Sequence, residues 1–438
     1  MANYRSIKDD TLAALQANDY ETAFRTFRTA VDYTFQKLDG SESQFAEAFG
    51  IFAQISERFA TGEFVDKVRA VADQPNDVQC LYDLGYLLYE EGQPGIGATA
   101  LMRADMLAPG EMPVVAELVA SLQACNLCPA AVDVLRKYPE LTGSDFILAY
   151  QLAFNSLMSG DLDTTREIFA ALPELSAGSD EYAFMTDRIR GFLYRADQIR
   201  AARPLDFEDL RGWHYVGTGG ILTHLSPYGY PDPMRGRFAM LQDSLALIRM
   251  GISNLKRIIE RKKIPVASIT PLDDRASQIV GAATAKALGY PLRSWSGGGA
   301  NTVVVAYDLS AVDLTPYEQL REHSPGQLLF SHALRWDLSC PIAPDVVTLL
   351  YQFNTAPWEP QLRVNPDGDG TSYSAPDDRE ADVIANEIVD AAPEVNEGEE
   401  CPPEMSDAFL DAIDAFPLTS GSRERAWETS PVASSRFL

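Results

Sequence analysis

The first half of the chain carries a repeat of 34 residues. Three segments align at this spacing without gaps, and each has a small residue followed four positions later by a large apolar residue. The pairs are Gly97 with Leu101, Ala131 with Leu135, and Thr165 with Phe169. Small residues let two antiparallel helices cross closely, and the large residues fill the groove beside the crossing. The spacing therefore predicts a stack of helical hairpins.

The same pattern extends towards the N-terminus. The stretch ANDYETAFRTFRTAV repeats it with Ala23, Phe27 and Ala30. Ala23 precedes Gly97 by 74 residues, which is two periods plus six, so one divergent unit with a short insertion is expected at 41–75. We expect about five hairpins from residue 6 to roughly residue 200, closed by a helix near 182–199.

This half of the chain resembles tetratricopeptide repeat (TPR) proteins. The small, large apolar and proline positions of the TPR pattern are matched by Leu84-Gly85, Leu88, Gly97, Leu101, Ala104 and Pro109. The resemblance implies that residues 1–204 form an α-solenoid whose concave groove binds a peptide or an extended segment of a partner protein. Some TPR proteins bind a C-terminal carboxylate with Lys, Arg and Asn, whereas the inner helices here carry acids such as Asp83, Glu90 and Glu117. A spacer or dimerisation role for the array is the alternative.

Residues 205–362 have the pattern of an α/β domain. A β-hairpin is predicted at 213–225, with Gly217–Gly220 as its turn, and a long helix at about 238–262. Beyond this helix, β-branched runs alternate with helical segments, which indicates a mainly parallel sheet covered by helices in three layers. Ligands of such sheets bind in the loops beyond the carboxyl ends of the strands.

Two stretches of this domain resemble type I phosphoribosyltransferases. The run VASITPLDDRASQIVGAATAKALGYPL is similar to the first strand, loop and helix of that family, and VVVAYDLSAVDLT is similar to its diphosphoribosyl-pyrophosphate motif. Where the motif has two acids, this chain has Tyr307 and Asp308, and where it has Thr-Gly, the chain has Val312-Asp313. Asp313 would repel a phosphate by on the order of a few kcal/mol. These departures predict a degenerate, non-catalytic domain.

The loops at the strand ends supply the candidate ligand-binding residues. If the domain binds a nucleotide or a phosphorylated sugar, the residues expected to do so are Asp273, Asp274, Arg275, Gly297, Gly298, Gly299, Asp308, Ser310 and Thr315. Helix capping is the alternative explanation for the paired acids, and a simple connector for the glycine-rich loop. The histidines, at positions 214, 224, 323 and 332, do not have metal-ligand spacing, so structural roles are expected of them. The sequence names no cofactor and predicts no metal site.

Charge and hydropathy exclude several classes of protein. A net charge of −27 disfavours binding to nucleic acid or to an anionic membrane surface. The N-terminus lacks the apolar core of a signal peptide, and no run approaches the ~18 apolar residues of a membrane span. Five cysteines, two of them in a CxxC at Cys125 and Cys128, do not make a disulfide scaffold. We expect a cytoplasmic protein.

Residues 363–438 are predicted to be an acidic and largely disordered tail. From Asn365 to Leu438, 18 Asp and Glu stand against 4 Arg, a balance of −14. Two pieces, 377–392 and 404–415, have the apolar side and acidic background of segments that fold on a basic, hydrophobic partner. Docking in the groove of its own repeats is one hypothesis for the tail, and a solubilising appendage is the other.

The sequence thus favours an adaptor or regulator that binds a partner protein or peptide through its TPR groove. In this interpretation the α/β domain is a scaffold without activity. The alternative is an enzyme or ligand sensor that uses the strand-end residues of the α/β domain.

Overall fold

In a computed structural model of the chain, the helices and strands fall into two units. Contacts divide the chain into Met1–Thr186 and Asp187–Leu438. The sequence pattern had placed this division at residue 204. The structure describes residues 4–34, 37–38, 40–60, 62–176, 178–230, 234–297, 299–338, 340–365, 370–393, 402–414, 416–424 and 430–434.

The described residues of the first unit form five helical hairpins. Their paired helices are α1 (Tyr4–Gln16) and α2 (Tyr20–Val31), α3 (Glu42–Ser56) and α4 (Glu63–Asp73), α5 (Val78–Glu90) and α6 (Pro94–Leu107), α7 (Met112–Ala124) and α8 (Cys128–Leu135), and, after the single turn α9 (Pro139–Thr142), α10 (Phe146–Met158) and α11 (Leu162–Leu175). The predicted divergent unit at 41–75 is the second hairpin.

The 34-residue period appears directly in the helix bounds, since α5, α7 and α10 begin at Val78, Met112 and Phe146. The crossing of α5 and α6 depends on glycine. A Cβ on Gly85 would lie 2.4 Å from the Leu101 Cγ, and one on Gly97 would lie 2.9 Å from the carbonyl oxygen of Gly85. The prediction that small residues stand at the helix crossing is confirmed.

The second unit contains the sheet. Helix α12 (Ala183–Ala202) begins in the last residues of the first unit and continues into the second. The other elements up to the end of the sheet are α13 (Leu210–Thr218), β1 (Ile221–Leu222), β2 (Phe238–Gln242), α14 (Leu245–Lys262), β3 (Ser268–Pro271), α15 (Arg275–Leu288), β4 (Thr302–Asp308), β5 (Leu328–Arg335) and β6 (Val346–Thr355). The strand order is β1-β6-β5-β4-β3, with β2 also paired to β6, and every pairing in this sheet is parallel. Helix α14 packs on β5 and β6, and α15 packs on β3 and β4. A mainly parallel sheet with helices on it is therefore observed.

One predicted element in the first part of this unit is wrong, and another begins later than expected. The expected hairpin at 213–225 is instead the end of α13, followed by β1. Asp209 caps the start of this helix, and Gly219 ends it at φ +68°. The glycine-rich stretch is thus a helix C-terminus, where a left-handed glycine is favoured, and not a strand turn. The expected helix at 238–262 begins later, because 238–242 pairs with β6 as β2.

The prediction of a largely disordered tail is wrong for the tail residues that the structure describes. These form β7 (Leu362–Val364), β8 (Thr371–Tyr373), α16 (Ala381–Asp390), α17 (Asp407–Ala412) and α18 (Phe416–Thr419). Strands β7 and β8 pair antiparallel. Helix α16 packs on α14 and α15, and α17 packs on α14. Residues 366–369, 394–401, 415, 425–429 and 435–438 of the predicted tail lie outside the described residues.

Charge explains why this acidic segment packs within its own unit. Residues 187–364 contain 20 Lys and Arg against 17 Asp and Glu, so the tail meets a mildly basic body. Arg257 and Arg261 at the end of α14 pair with Asp407 and Asp411 at 2.5 Å. The apolar sides of α16 and α17 are buried, including Ile384, Ile388, Phe409 and Leu410. The described part of the tail thus packs on α14 and α15, and its docking in the groove of the repeats stays a prediction.

Candidate functional site

Asp308 and Ser310, two of the predicted ligand residues, lie together at the carboxyl end of β4. The Asp308 carboxylate accepts a hydrogen bond from the Ser310 backbone N–H at 3.0 Å, and another from the Tyr351 hydroxyl. Burial raises the pKa of Asp308, although these hydrogen bonds act in the opposite direction. The side chain is thus directed into the unit and satisfied there.

Asp273, Asp274 and Arg275 lie at the start of α15 and have separate contacts. Tyr317 donates from its hydroxyl to Asp273 Oδ2 at 3.2 Å, and Asp274 caps the helix by accepting from the Ser277 N–H at 2.8 Å. Arg275 donates to two carbonyl oxygens of the tail, at residues 377 and 379, over 2.8 and 2.9 Å. The structure does not bring these three side chains together.

The remaining predicted ligand residues lie in two loops. Gly297 has φ +90°, and no atom lies within 4 Å of a Cβ placed on Gly299. Gly298 lies outside the described residues. The Thr315 N–H donates to Asp313 Oδ1 at 3.0 Å, and this bond lowers the pKa of Asp313. A full negative charge therefore stands where the resemblance would put a phosphate. Ligand binding by the strand-end residues stays a prediction.

A buried polar network that the sequence did not indicate surrounds Tyr307. The Tyr307 hydroxyl donates to Asp243 Oδ2 at 2.9 Å, and Asn354 donates to the hydroxyl at the same distance. The Nε2 of His332 lies 3.1 Å from Asp243 Oδ2. Burial, together with Asp243, raises the pKa of Tyr307 well above its ordinary value. These residues are distant in sequence, so no local pattern signals the network.

The described residues give no sign of a metal centre or a membrane span. No group of three or more His, Cys, Asp or Glu in the described ranges has the arrangement to hold a metal ion. Within the same ranges, no helix combines the length and apolar character needed to cross a bilayer.

The first unit contains an open cavity of about 600 Å³. It lies among α2, α3, α4 and the end of α5, and we call it the aromatic cavity. Its apolar lining comes mainly from Phe24, Phe52, Phe59 and Phe64. Neighbouring rings contact each other, with centroids 6.3 Å apart for Phe24 and Phe52 and 6.0 Å apart for Phe52 and Phe64. The volume lies within the range of ordinary ligand pockets.

Phe59 is the most exposed aromatic residue of the aromatic cavity. Its side chain follows the last turn of α3 and is 62% exposed, whereas Phe52 is 2% exposed. A large exposed aromatic residue next to buried ones gives a cavity an apolar rim, and such patches are typical of interaction surfaces.

Acidic side chains surround the aromatic cavity. The described residues that line it include Glu21, Glu63 and Glu91 but no Lys or Arg. Glu63 pairs with Lys67 on the next turn of α4, with Nζ 3.6 Å from the carboxylate. Residues 1–186 as a whole contain 28 Asp and Glu against 12 Lys and Arg, a balance of −16. The acidic excess is therefore shared by the helical unit and is not a property of the tail alone.

Helices α5 and α7 carry further acidic side chains, among them Glu90 and Glu117. Partial burial and repulsion by Glu90 raise the pKa of Glu117. Burial and the charge of Glu117 raise the pKa of Tyr82. The acidic character that the sequence indicated for these helices is thus present as a group of mutually repelling side chains.

Solved structures of MamA are similar to part of this chain. MamA AMB-1 is 17% identical, with 41% of this chain and 96% of that chain covered and a TM-score of 0.25. MamA from Desulfovibrio magneticus RS-1 is 17% identical, with 40% and 97% covered and a TM-score of 0.25. No protein-family model matches the chain, and no curated protein is similar to it.

Proposed function

We propose that this chain is a protein-interaction adaptor or regulator whose helical unit binds a basic, apolar segment of a partner protein. The aromatic cavity carries the proposal. Its four phenylalanines can pack against a large apolar side chain of the bound segment. Its three glutamates can pair with Lys or Arg residues that flank this side chain in the segment. The contacts of Asp308 with Tyr351 and of Arg275 with the tail support a non-catalytic role for the α/β domain.

The two kinds of contact have different tasks. Burying one large apolar side chain contributes about 1.5–3 kcal/mol, whereas each exposed ion pair contributes about 0–1 kcal/mol. The apolar anchor therefore supplies most of the affinity. The glutamates select a basic segment over an acidic one, and the charge of −16 on residues 1–186 accelerates its approach at low salt.

Labelled peptides test the apolar anchor. One peptide has a central phenylalanine flanked by lysines, and the other has the same phenylalanine flanked by glutamates. Fluorescence anisotropy with the full chain should detect binding of the lysine peptide alone. Phe59→Ala should weaken it about tenfold, since roughly 1.4 kcal/mol of apolar contact is lost. Phe184→Ala is the matched control, because Phe184 is 59% exposed and lies outside the cavity.

Charge variants test the acidic rim. Replacing Glu21, Glu63 and Glu91 by Gln should weaken the lysine peptide and flatten the salt dependence of its affinity. The same replacement at Glu140, Glu167 and Glu174 changes the net charge equally but leaves the cavity intact, so its effect should be smaller. Equal effects of the two triple variants, or no effect of Phe59→Ala, would contradict the proposal.

A further inference from the structure

A smaller cavity in the second unit is lined by donor groups. It encloses about 90 Å³ beside α13, α14 and the end of β1, and the tail segment at 402–405 forms its remaining wall. Its polar lining consists of Arg211, Thr223, His224, Asn254, Arg257 and Glu404. Glu404 is the one acid in this set, and it is exposed on the tail segment.

Two residues that line this cavity each have a buried polar atom with no hydrogen-bond partner within the described chain. These atoms are Thr223 Oγ1 and His224 Nε2, on residues that are 4% and 6% exposed. The backbone fixes both positions, because their N–H groups donate to the carbonyl oxygens of Val347 and Thr348 at 2.8 Å and so prolong the pairing of β1 with β6. An unsatisfied buried polar atom costs about 1–3 kcal/mol, so a ligand that bonds to both is favoured.

Arg211 adds a buried positive charge. Arg211 is 2% exposed, and its guanidinium donates to the carbonyl oxygens of Leu222 at 2.9 Å and Pro403 at 3.2 Å. Among the described residues, no carboxylate forms an ion pair with it. Burial, with a smaller effect from Arg203, lowers the pKa of Arg211 to about 10. Asp209 and Glu404 lie near enough to oppose this shift, but neither forms with the guanidinium the direct ion pair that buried charges ordinarily have.

We propose that this cavity binds a small oxyanion of the size of inorganic phosphate, with Arg211, Thr223 and His224 as its donors. The volume suits a free ion and is far below the roughly 300 Å³ of the smallest ordinary ligand pockets, which excludes a nucleotide. Asn254 stands at the edge of the cavity as a further donor, and Arg257 lies beside it with its guanidinium already paired with Asp407.

His224 donates in this site without a charge of its own. Burial and the neighbouring Arg211 lower the pKa of His224 to about 4, so the imidazole is neutral at pH 7. The positive charge of the site comes from arginine, and the neutral imidazole serves as a directional donor.

The bound ion would also hold the tail segment. Pro403 accepts from Arg211, and the Met405 carbonyl oxygen accepts from Arg257 at 2.8 Å. Both arginines therefore contact the tail segment and the cavity at once. An oxyanion that fixes their guanidinium groups should protect the chain near residues 402–405 from proteases.

The test uses the full chain at pH 7 with sodium phosphate or sulfate, against sodium chloride at the same ionic strength. Calorimetric titration should give saturable binding of phosphate, and phosphate should raise the unfolding temperature. Thr223→Val should weaken binding at least tenfold, because a hydrogen bond to a charged ligand is lost. Thr348→Val is the matched control, since Thr348 is also buried with an unpaired Oγ1 but lies outside this cavity.

The two threonine variants test the site even if a variant at Arg211 fails to fold. Thr223→Val removes a buried, unpaired hydroxyl, so it should melt at or above the wild-type temperature in chloride and lose only the response to phosphate. Absence of saturable binding, or equal binding by Thr223→Val and the wild type, would overturn the proposal and leave the cavity to water.

Discussion

Arg423 Nη2 lies 2.9 Å from Asp345 Oδ2, and both side chains are completely buried. His323 Nε2 lies 2.8 Å from the other carboxylate oxygen, and the Leu329 N–H donates to the carboxylate at 2.7 Å. Burial acts to raise the pKa of Asp345, but Arg423 and His323 hold it below its ordinary value. This ion pair holds the tail at residue 423 against the loop that precedes β6.

Removing the arginine should release this part of the tail. Arg423→Met leaves the Asp345 carboxylate buried with one partner fewer, so the free energy of unfolding of the second unit should fall by about 3–5 kcal/mol. Urea unfolding of the full chain measures the loss, and limited proteolysis detects the freed tail. Arg379→Met is the control, because the ion pairs of Arg379 are exposed and contribute about 0–1 kcal/mol. Equal losses in the two variants would contradict this account.

Two buried histidines predict a loss of stability in mild acid. Burial lowers the pKa of His214 and His224 to about 4. Between pH 6.5 and 4 the unfolded chain binds protons that the folded chain does not, so stability falls as the pH falls through this window. By the lower end of this pH window, each histidine should have lowered the free energy of unfolding by roughly 3 kcal/mol. Urea unfolding at pH 7, 5.5 and 4.5 measures the slope, and His214→Gln should reduce it. A slope unchanged by His214→Gln would show that His214 titrates normally.

The helix crossing in the first unit predicts opposite effects for two glycine substitutions. Gly85→Ala would place a methyl group 2.4 Å from the Leu101 Cγ, and the overpacking should cost about 1–3 kcal/mol. Gly50→Ala, inside α3, meets no atom within 4 Å and should stabilise by about 0.5–1 kcal/mol through helix propensity. Thermal unfolding distinguishes them. A neutral Gly85→Ala would mean that the two helices do not cross closely at this position.

The raised pKa of Glu117 predicts that its charge destabilises the fold near neutral pH. A carboxyl whose pKa is higher in the folded chain than in the unfolded one loses stability as the pH rises through that interval. Glu117→Gln should therefore raise the unfolding temperature at pH 7. The corresponding gain in the free energy of unfolding should be less than about 1 kcal/mol, because the site is partly solvated. The gain should vanish below pH 4. Glu167→Gln, at an exposed position on α11, should show neither effect.

Periodic features of the sequence were predicted well because their cause is local. The 34-residue period found at 97, 131 and 165 recurs in the helix starts at Val78, Met112 and Phe146, and the small residues at 85 and 97 marked where helices cross. The parallel sheet followed from β-branched runs, such as 302–308, that are buried along their whole length.

The errors arose where distant residues decide the structure. The stretch at 213–218 has strand-like composition, but Asp209 and Gly219 supply the two caps of a helix. The tail looked disordered because its own composition shows the acids and not the arginines of α14 that pair with them. The aromatic cavity also escaped prediction, since its residues come from four helices and the loops that join them.

Amide hydrogen exchange of the full chain with and without the lysine-flanked phenylalanine peptide tests the central claim most directly. The account predicts slower exchange in three segments that line the aromatic cavity, 21–27, 52–60 and 87–93, and a loss of this protection in Phe59→Ala. Protection confined to other segments, or unchanged protection in Phe59→Ala, would contradict it.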